Sequence, residues 1–437
     1  MFSYITVLSN WLLGYDRYQK LYSKTGITQS TYPTEFYLLK EDELHIGLKK
    51  ANNLLAKLDI EGNAIIRVET ELPEDKVAKN TRNGLGWVYP DYKIPVTRVY
   101  LYENEAWTEV TVEDLTAKAY LLHSDNLQEW DELRPLTLSF LPIAIACQAS
   151  CSFCFSGSSI SIERKKRIKD FEHLDYWCHR ASTAGAERFV ITGGGEPTIM
   201  PFEEIIECLK ISSEYFKKNV IISNGLFLSK HDEETIIEKL KELKSAGLSV
   251  LSLSYHHWDP VVNAKIMGLD TQAEKIFKAY SKCNRDEVPR LRIVTVLQKG
   301  GVDSQQEIQG SVDKALEYGI DQVCFKELYV ASTSESLYAK KKENIYSRDH
   351  QVSLMEVVDY CTSRNLEKVK ELAWGSPIYK YVGENGNFVD IAAYTEPSVG
   401  WERSNGIARS WNYMADGKCF ASLEDEQSEI KAVDNEL

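Results

Sequence analysis

The chain has 437 residues, with 51 basic and 65 acidic side chains and a formal net charge of −14. That balance excludes a general nucleic-acid or anionic-membrane binder, because phosphate-rich surfaces repel it. Hydrophobic residues make up 43% and charged residues 27%, which allows one large α/β domain plus one or two smaller units without help from disulfides. No apolar run reaches the length of a membrane span. The start, MFSYITVLSNWLLGY, has no basic residue ahead of its apolar stretch and no small-residue cleavage pattern, so no signal peptide is expected. Nine cysteines, three of them within eight residues, fit a metal site in a reducing, cytoplasmic compartment rather than a secreted disulfide framework.

Residues 1–135 read as an N-terminal α+β region. Within it, Val96–Tyr102 and Trp107–Val112 flank a turn at Glu103–Ala106 and predict a β-hairpin. From Leu136 onward, apolar runs alternate with helical patterns. The predicted strands are Leu136–Ala146, Arg188–Thr192, Asn219–Ser223, Val250–Tyr255, Leu291–Leu297 and Gln322–Val330. Between them lie amphipathic segments at Asp170–Ala184, Phe202–Phe216, Glu234–Ala246, Thr271–Asn284 and Ser304–Tyr318. Gly185, Gly247 and Gly319 read as C-caps. Strict alternation predicts parallel βαβ units, an α/β fold. A further helix is expected at Val352–Arg364. The tail from residue 366 mixes short strands and turns (GENGNFVDIAAY) and ends in an acidic run expected to be unstructured.

Three motifs carry chemistry. Cys147, Cys151 and Cys154 follow the first predicted strand directly, spaced by three residues and then two. Three thiolates on one short loop can reach three irons of a cubane and leave the fourth iron open. Structural zinc would call for a fourth Cys or His nearby, and the next cysteine is Cys178, on a predicted helix. Gly193-Gly194-Gly195-Glu196-Pro197-Thr198 ends the second strand; a glycine run suits either a tight turn or a close backbone approach to a ligand. Ser223-Asn224-Gly225 ends the third, where Asn-Gly also suits a plain left-handed turn.

The loop CQASCSFC, followed one βα unit later by GGGEPT and then by SNG, resembles the radical S-adenosylmethionine (SAM) superfamily over roughly Leu136 to Val330. The resemblance implies a partial (βα)6 TIM-like barrel, with the core at 136–365 and a C-terminal extension at 366–437. It implies one [4Fe–4S] cluster on Cys147, Cys151 and Cys154, with Phe153 at the aromatic position before the third cysteine. The open iron would chelate the amino and carboxylate groups of SAM. Gly194, Gly195 and Glu196 would lie at the SAM amino group, and Ser223 and Asn224 at its ribose and carboxylate region. Ser252, Ser254 and Leu297 fall where the family places ribose and adenine contacts. An electron donor such as flavodoxin or ferredoxin would drive cleavage of SAM to methionine and a 5′-deoxyadenosyl radical, which abstracts hydrogen from the substrate.

Substrate groups are expected from the carboxyl ends of the strands. Tyr255, His256 and His257, with Trp258 and Asp259 beside them, offer an acid/base and an apolar wall, or simply aromatics packed under the barrel lip. Cys324 on the sixth strand is a candidate hydrogen donor, although a strand cysteine also serves as a small buried hydrophobe. After it only Cys361 and Cys419 remain, with no CxxC spacing. An auxiliary-cluster extension of the SPASM type is therefore not expected, and one cluster suffices. The leading expectation is a maturase of ribosomal peptides or another natural-product enzyme, its N-terminal region gripping a leader by strand addition. The alternative is an enzyme of small metabolites or nucleotides. A non-catalytic iron–sulfur protein is the distant third, since electron transfer requires no GGGEPT or SNG turn.

Overall fold

The structure is a computed structural model describing the strands within residues 2–110, then 128–155, 171–330, 338, 341–397, 402–403 and 405–432. Contacts divide the chain into two compact units, 1–127 with 372–376, and 128–371 with 377–437.

In the first unit, β1 (Phe2–Val7), β2 (Tyr37–Leu39), β3 (Ile65–Thr70), β6 (Val96–Glu103) and β7 (Ala106–Val110) form an antiparallel sheet in the order β2-β1-β3-β6-β7. A separate hairpin joins β4 (Val77–Lys79) to β5 (Gly86–Val88). The predicted hairpin is β6–β7, with Glu103 opposite Ala106. Its aromatic and β-branched content explains the pairing. Tyr102 and Trp107 face each other with ring centroids 4.9 Å apart, and the Arg67 guanidinium lies 4.2 Å over the Tyr100 ring.

The second unit begins with β8 (Arg134–Pro135) and β9 (Thr137–Leu141). In chain order there follow α1 (Phe171–Thr183), β10 (Arg188–Ile191), α2 (Phe202–Tyr215), β11 (Lys218–Ser223), α3 (Leu226–Ser229), α4 (Glu233–Ser245) and β12 (Leu248–Ser254). Next come α5 (Pro260–Met267), α6 (Ala273–Ser281), β13 (Arg290–Leu297), α7 (Gln305–Tyr318) and β14 (Gln322–Glu327). The last part holds α8 (Lys342–His350), α9 (Met355–Ser363), β15 (Glu367–Glu371), β16 (Pro377–Val382), β17 (Phe388–Tyr394), β18 (Ile407–Ala408), β19 (Trp411–Met414), β20 (Cys419–Phe420) and β21 (Glu429–Ile430). All six predicted strands are present and parallel to their neighbours from β9 to β14. Asp232 and Ser304 cap α4 and α7 through the N–H groups of Thr235 and Glu307.

The C-terminal segment departs from the expectation of a separate extension. β17 pairs parallel with β14, and β19 pairs parallel with β9. The parallel wall therefore runs β19-β9-β10-β11-β12-β13-β14-β17, with β15–β16 at one edge and β20–β21 at the other. Such pairings join residues about 70 positions apart (β14 with β17) and more than 270 apart (β9 with β19), and leave no local turn signature. The expected unstructured tail also folds in part: Asp425 caps a turn leading into β21, while 433–437 lie outside the described residues. Along the barrel strands Leu251, Leu253, Ile293, Leu297 and Phe325 pack in the buried core beneath the helices. The alternate positions Ser252, Ser254, Arg292, Cys324 and Lys326 face the interior of the barrel.

Candidate active site

The cysteine loop leaves β9 at Leu141 and is held from two sides. On one side, Ser150 N–H donates to Met267 O at 2.8 Å. The end of α5 can come this close because Gly268 (φ +60°) has no Cβ, which would sit 2.1 Å from Ser150 Oγ. On the other, Gly195 N–H donates to Ile143 O at 2.9 Å and Glu196 N–H to Ala146 O at 2.7 Å. A Cβ on Gly195 would lie 2.2 Å from Ala146 O. The backbone that the glycine run admits is thus that of the cysteine loop itself.

Of the three thiols, Cys147 and Cys154 are exposed and Cys151 is half-buried. Burial pushes the Cys151 thiol up to about 12, and Cys154 and Cys147 add to it. Burial also raises Cys147, with the Ala149 N–H opposing and Glu196 and Cys154 reinforcing. Thiols that oppose each other's ionisation form a donor set that a positively charged metal centre would stabilise as thiolates. Among the described residues no three His, Cys, Asp or Glu side chains surround a single ion position. In a cubane each thiolate meets its own iron, and the loop fits that group.

Glu196 is 5% exposed and ties the next two motifs together. Its Oε1 accepts from Thr198 N at 3.1 Å and Thr198 Oγ1 at 2.5 Å, while Oε2 accepts from Asn224 N at 2.8 Å. Thr198 Oγ1 also lies 3.2 Å from Ser223 Oγ, which accepts from Gly225 N at 3.0 Å. Asn224 Nδ2 returns to the cysteine loop, donating to Gln148 Oε1 at 3.1 Å. Cysteine loop, GGGEPT and SNG therefore form one hydrogen-bonded unit at the carboxyl ends of β9, β10 and β11. Gly194 lies buried within it.

Other expected residues divide. Phe153 meets His256 edge-on, ring centroids 5.1 Å apart. His256 is buried, and burial followed by Lys326 pushes its pKa down to about 3. Its Nδ1 accepts from Val296 N at 3.4 Å, which assigns the proton of the neutral ring to Nε2. His257 and Tyr255 are not brought to the cysteine loop. His257 Nε2 lies 3.0 Å from Glu307 Oε2, and Trp258 Nε1 donates to the same oxygen at 2.5 Å; both secure the loop after β12 to α7. Tyr255 belongs to the core beneath the helices, edge-on to Phe277 at 5.2 Å, and burial raises its hydroxyl pKa. Leu297 is fully buried in the same core, on the face away from the interior, because strand alternation gives the interior face to Val296. Ser252 Oγ accepts from Arg292 Nε at 2.9 Å. Ser254 and Cys324 face the interior, and burial raises the Cys324 thiol while Arg292 and Lys326 oppose it.

Residues 141–324 match the family model described as the Radical SAM superfamily. The chain carries a radical SAM domain over these residues. It is 27% identical over 175 residues to the GTP 3′,8-cyclase of Aquifex aeolicus (strain VF5), covering 39% of this chain and 51% of that protein. The probable GTP 3′,8-cyclase of Thermococcus kodakarensis is 29% identical over 138 residues, 31% of this chain and 40% of that one. The chain thus spans about half, or less, of the length of these curated relatives. Among solved structures, Streptococcus suis SuiB bound to precursor peptide SuiA aligns over 74% of this chain and 68% of its own, at 20% identity and a TM-score of 0.44. Radical SAM proteins bind a [4Fe–4S] cluster and SAM. No helix among the described residues is long and apolar enough to cross a membrane.

The radical SAM barrel also holds a charged group that the sequence did not single out. Lys326 Nζ donates to Glu396 Oε1 at 2.5 Å, and Arg409 Nη1 donates to Glu396 Oε2. Glu396 follows β17 and Arg409 precedes β19, so the carboxylate joins β14 to both C-terminal segments. Burial opposes the Glu396 charge, but Arg409 and Lys326 outweigh it and hold the carboxyl far below its usual range. Only recognition that β17 and β19 complete the wall could have flagged these residues.

Proposed function

We propose that this chain holds its [4Fe–4S] cluster on Cys147, Cys151 and Cys154, binds SAM beside Glu196 and Asn224, and modifies a peptide. The observation that carries the site is the hydrogen-bonded path Ala146–Glu196–Asn224–Gln148. When bound, the cluster and SAM supply the 5′-deoxyadenosyl radical that abstracts a substrate hydrogen. The chain's own residues position and enclose. Two carboxylate oxygens offer about four acceptor sites, and Glu196 uses three on Thr198 and Asn224, which leaves one for the SAM ammonium. His256, neutral with its Nε2–H, and Phe153 back the loop. Phe155 stacks on Tyr338 with centroids 4.4 Å apart and meets Tyr329 at 5.9 Å, an aromatic cover after the third cysteine that keeps water from a reactive centre. Cys324 and the Lys326–Glu396–Arg409 group line the interior where a substrate side chain would enter.

The peptide reading rests on β7, at the edge of the first unit's sheet. Among the described residues no further strand pairs with it, and Ala106, Thr108 and Glu109 are exposed. An open edge accepts an extended peptide as an added strand. The test is anaerobic reconstitution with SAM and a reductant. About four irons and four sulfides per chain and release of 5′-deoxyadenosine are expected, both lost when Cys147, Cys151 and Cys154 become Ala together. About eight irons would overturn the single cluster. A mass change in a short peptide encoded beside the gene supports the substrate class; turnover of a nucleotide or other small metabolite instead would replace it.

A further inference from the structure

At the amino-terminal end of the parallel strands, opposite the cysteine loop, cations outnumber the acids beside them. Arg188 opens β10 and Lys218 opens β11, and the two are direct register partners, about 5 Å apart as neighbours in a sheet are. Arg290 and Arg292 stand two residues apart on β13 and so share a face. Lys370, exposed on β15, is near enough for its charge to act on Lys218. Burial draws the Lys218 ammonium down to about 8, and Arg188, Arg292, Lys370 and Arg290 each push it the same way. Burial, with Arg188 and Arg290, also works against the Arg292 charge.

The acids that reach this end are already committed. Asp390 lies 3.0 Å from Arg290 and Asp321 3.8 Å from it. Asp321 Oδ2 further accepts from Leu291 N at 2.7 Å and from the Tyr280 hydroxyl at 2.5 Å. Among the described residues no carboxylate pairs with Arg188, Lys218, Arg292 or Lys370. Arg292 spends its Nε on Ser252, which orients the guanidinium and leaves both Nη groups without a protein partner.

Like charges gathered at one end of the strands repel one another unless an anion joins them. Two guanidinium forks and two ammonium groups match the geometry and charge density of linked phosphates better than one carboxylate. On a molecule of net charge −14, a local positive field of this kind is what would draw a polyanion in. We propose that the amino-terminal end of the barrel, ringed by Arg188, Lys218, Arg292 and Lys370, is a binding site for the polyphosphate group of a small molecule. It lies at the opposite end of the strands from the SAM-binding motifs and does not depend on which substrate they serve.

The full-length protein is titrated calorimetrically with inorganic tripolyphosphate, inorganic phosphate and citrate at one ionic strength. Tripolyphosphate is expected to bind at a single site at least tenfold more tightly than either of the others. Lys218→Met and Arg188→Gln should each weaken it at least tenfold, whereas Lys239→Gln, a lysine stacked on Phe202 at the start of α2, should not. Because Lys218→Met removes one of the repelling charges, its thermal midpoint without anion should equal or exceed that of the unsubstituted protein, which separates lost binding from lost folding. Should that variant prove unstable, Arg188→Gln decides. Tripolyphosphate binding that is absent, matched by citrate, retained in full by Arg188→Gln, or lost equally in Lys239→Gln overturns the proposal.

Discussion

At the scale of single residues, Glu196 and His256 do different work inside the same buried layer. The Glu196 main chain holds the cysteine loop through Ala146 O, while its carboxylate holds Asn224 and Thr198. Glu196→Ala keeps the first contact and removes the second together with the partner for SAM. A charge-assisted hydrogen bond is worth about 1.5–3 kcal/mol, so SAM affinity should fall tenfold or more in equilibrium binding while the absorption spectrum of the cluster persists. Unchanged affinity would reduce Glu196 to a strut. His256 is held neutral, its pKa pushed to about 3 by burial and then by Lys326, whereas an unfolded histidine titrates near 6.5. Between those values the unfolded chain binds more protons, so stability rises with pH and is lost on acidification below about 6.5. His256→Gln abolishes that dependence. Urea denaturation at pH 6.5 and pH 5 should show the wild type losing roughly 1.5 kcal/mol relative to the variant; a pH-independent difference would mean that the ring ionises freely in the fold.

At the scale of elements, α5 and the turn after β10 grip the cysteine loop from either side, and β7 offers the first unit's open edge. In a hairpin whose two-residue turn closes at Glu103 and Ala106, the inward hydrogen bonds alternate, and the N–H groups of Trp107 and Glu109 point away from β6. Proline at 109 would remove one outward donor and leave the β6 ladder intact. Glu109→Pro is therefore expected to lower peptide modification at least tenfold while 5′-deoxyadenosine release without substrate stays as in wild type. Equal peptide turnover in the variant would exclude strand addition on β7.

For the whole molecule, the division into two units places the boundary before Trp130. That ring is buried in the second unit, and its Nε1 donates to Asp425 Oδ2 at 3.0 Å, so a chain beginning at Gln128 keeps it. The cysteine loop, GGGEPT and SNG all lie downstream of that point. If the first unit contributes recognition alone, its removal takes away binding energy without touching the chemistry. The shortened protein should be soluble, hold about four irons and release 5′-deoxyadenosine, yet leave the substrate unmodified. An insoluble product, or loss of the cluster, would make the first unit part of the barrel's support instead.

Much of this was legible along the chain because it depends on local order. Periodicity and turn residues marked β9 to β14, the helices after them and the β6–β7 hairpin. The spacing of Cys147, Cys151 and Cys154 on one loop, with GGGEPT and SNG at the next two strand ends, carried the resemblance to the radical SAM superfamily that the family model matches over residues 141–324. What faces what was a different matter. That β17 and β19 extend the parallel wall, and that Glu396 and Arg409 meet Lys326, depends on pairings across the barrel with no local signal. The same holds for Tyr255 and His257, which flank His256 in sequence but turn into the helix packing. A stretch of three aromatic residues specifies composition, and only the twist of the chain after β12 decides which of them reaches Phe153. The sequence alone determined the three-motif resemblance, because each motif sits on one short stretch of chain. Tertiary structure alone decided the walls and charges of the interior, because those are set by strands brought together from opposite ends of the chain.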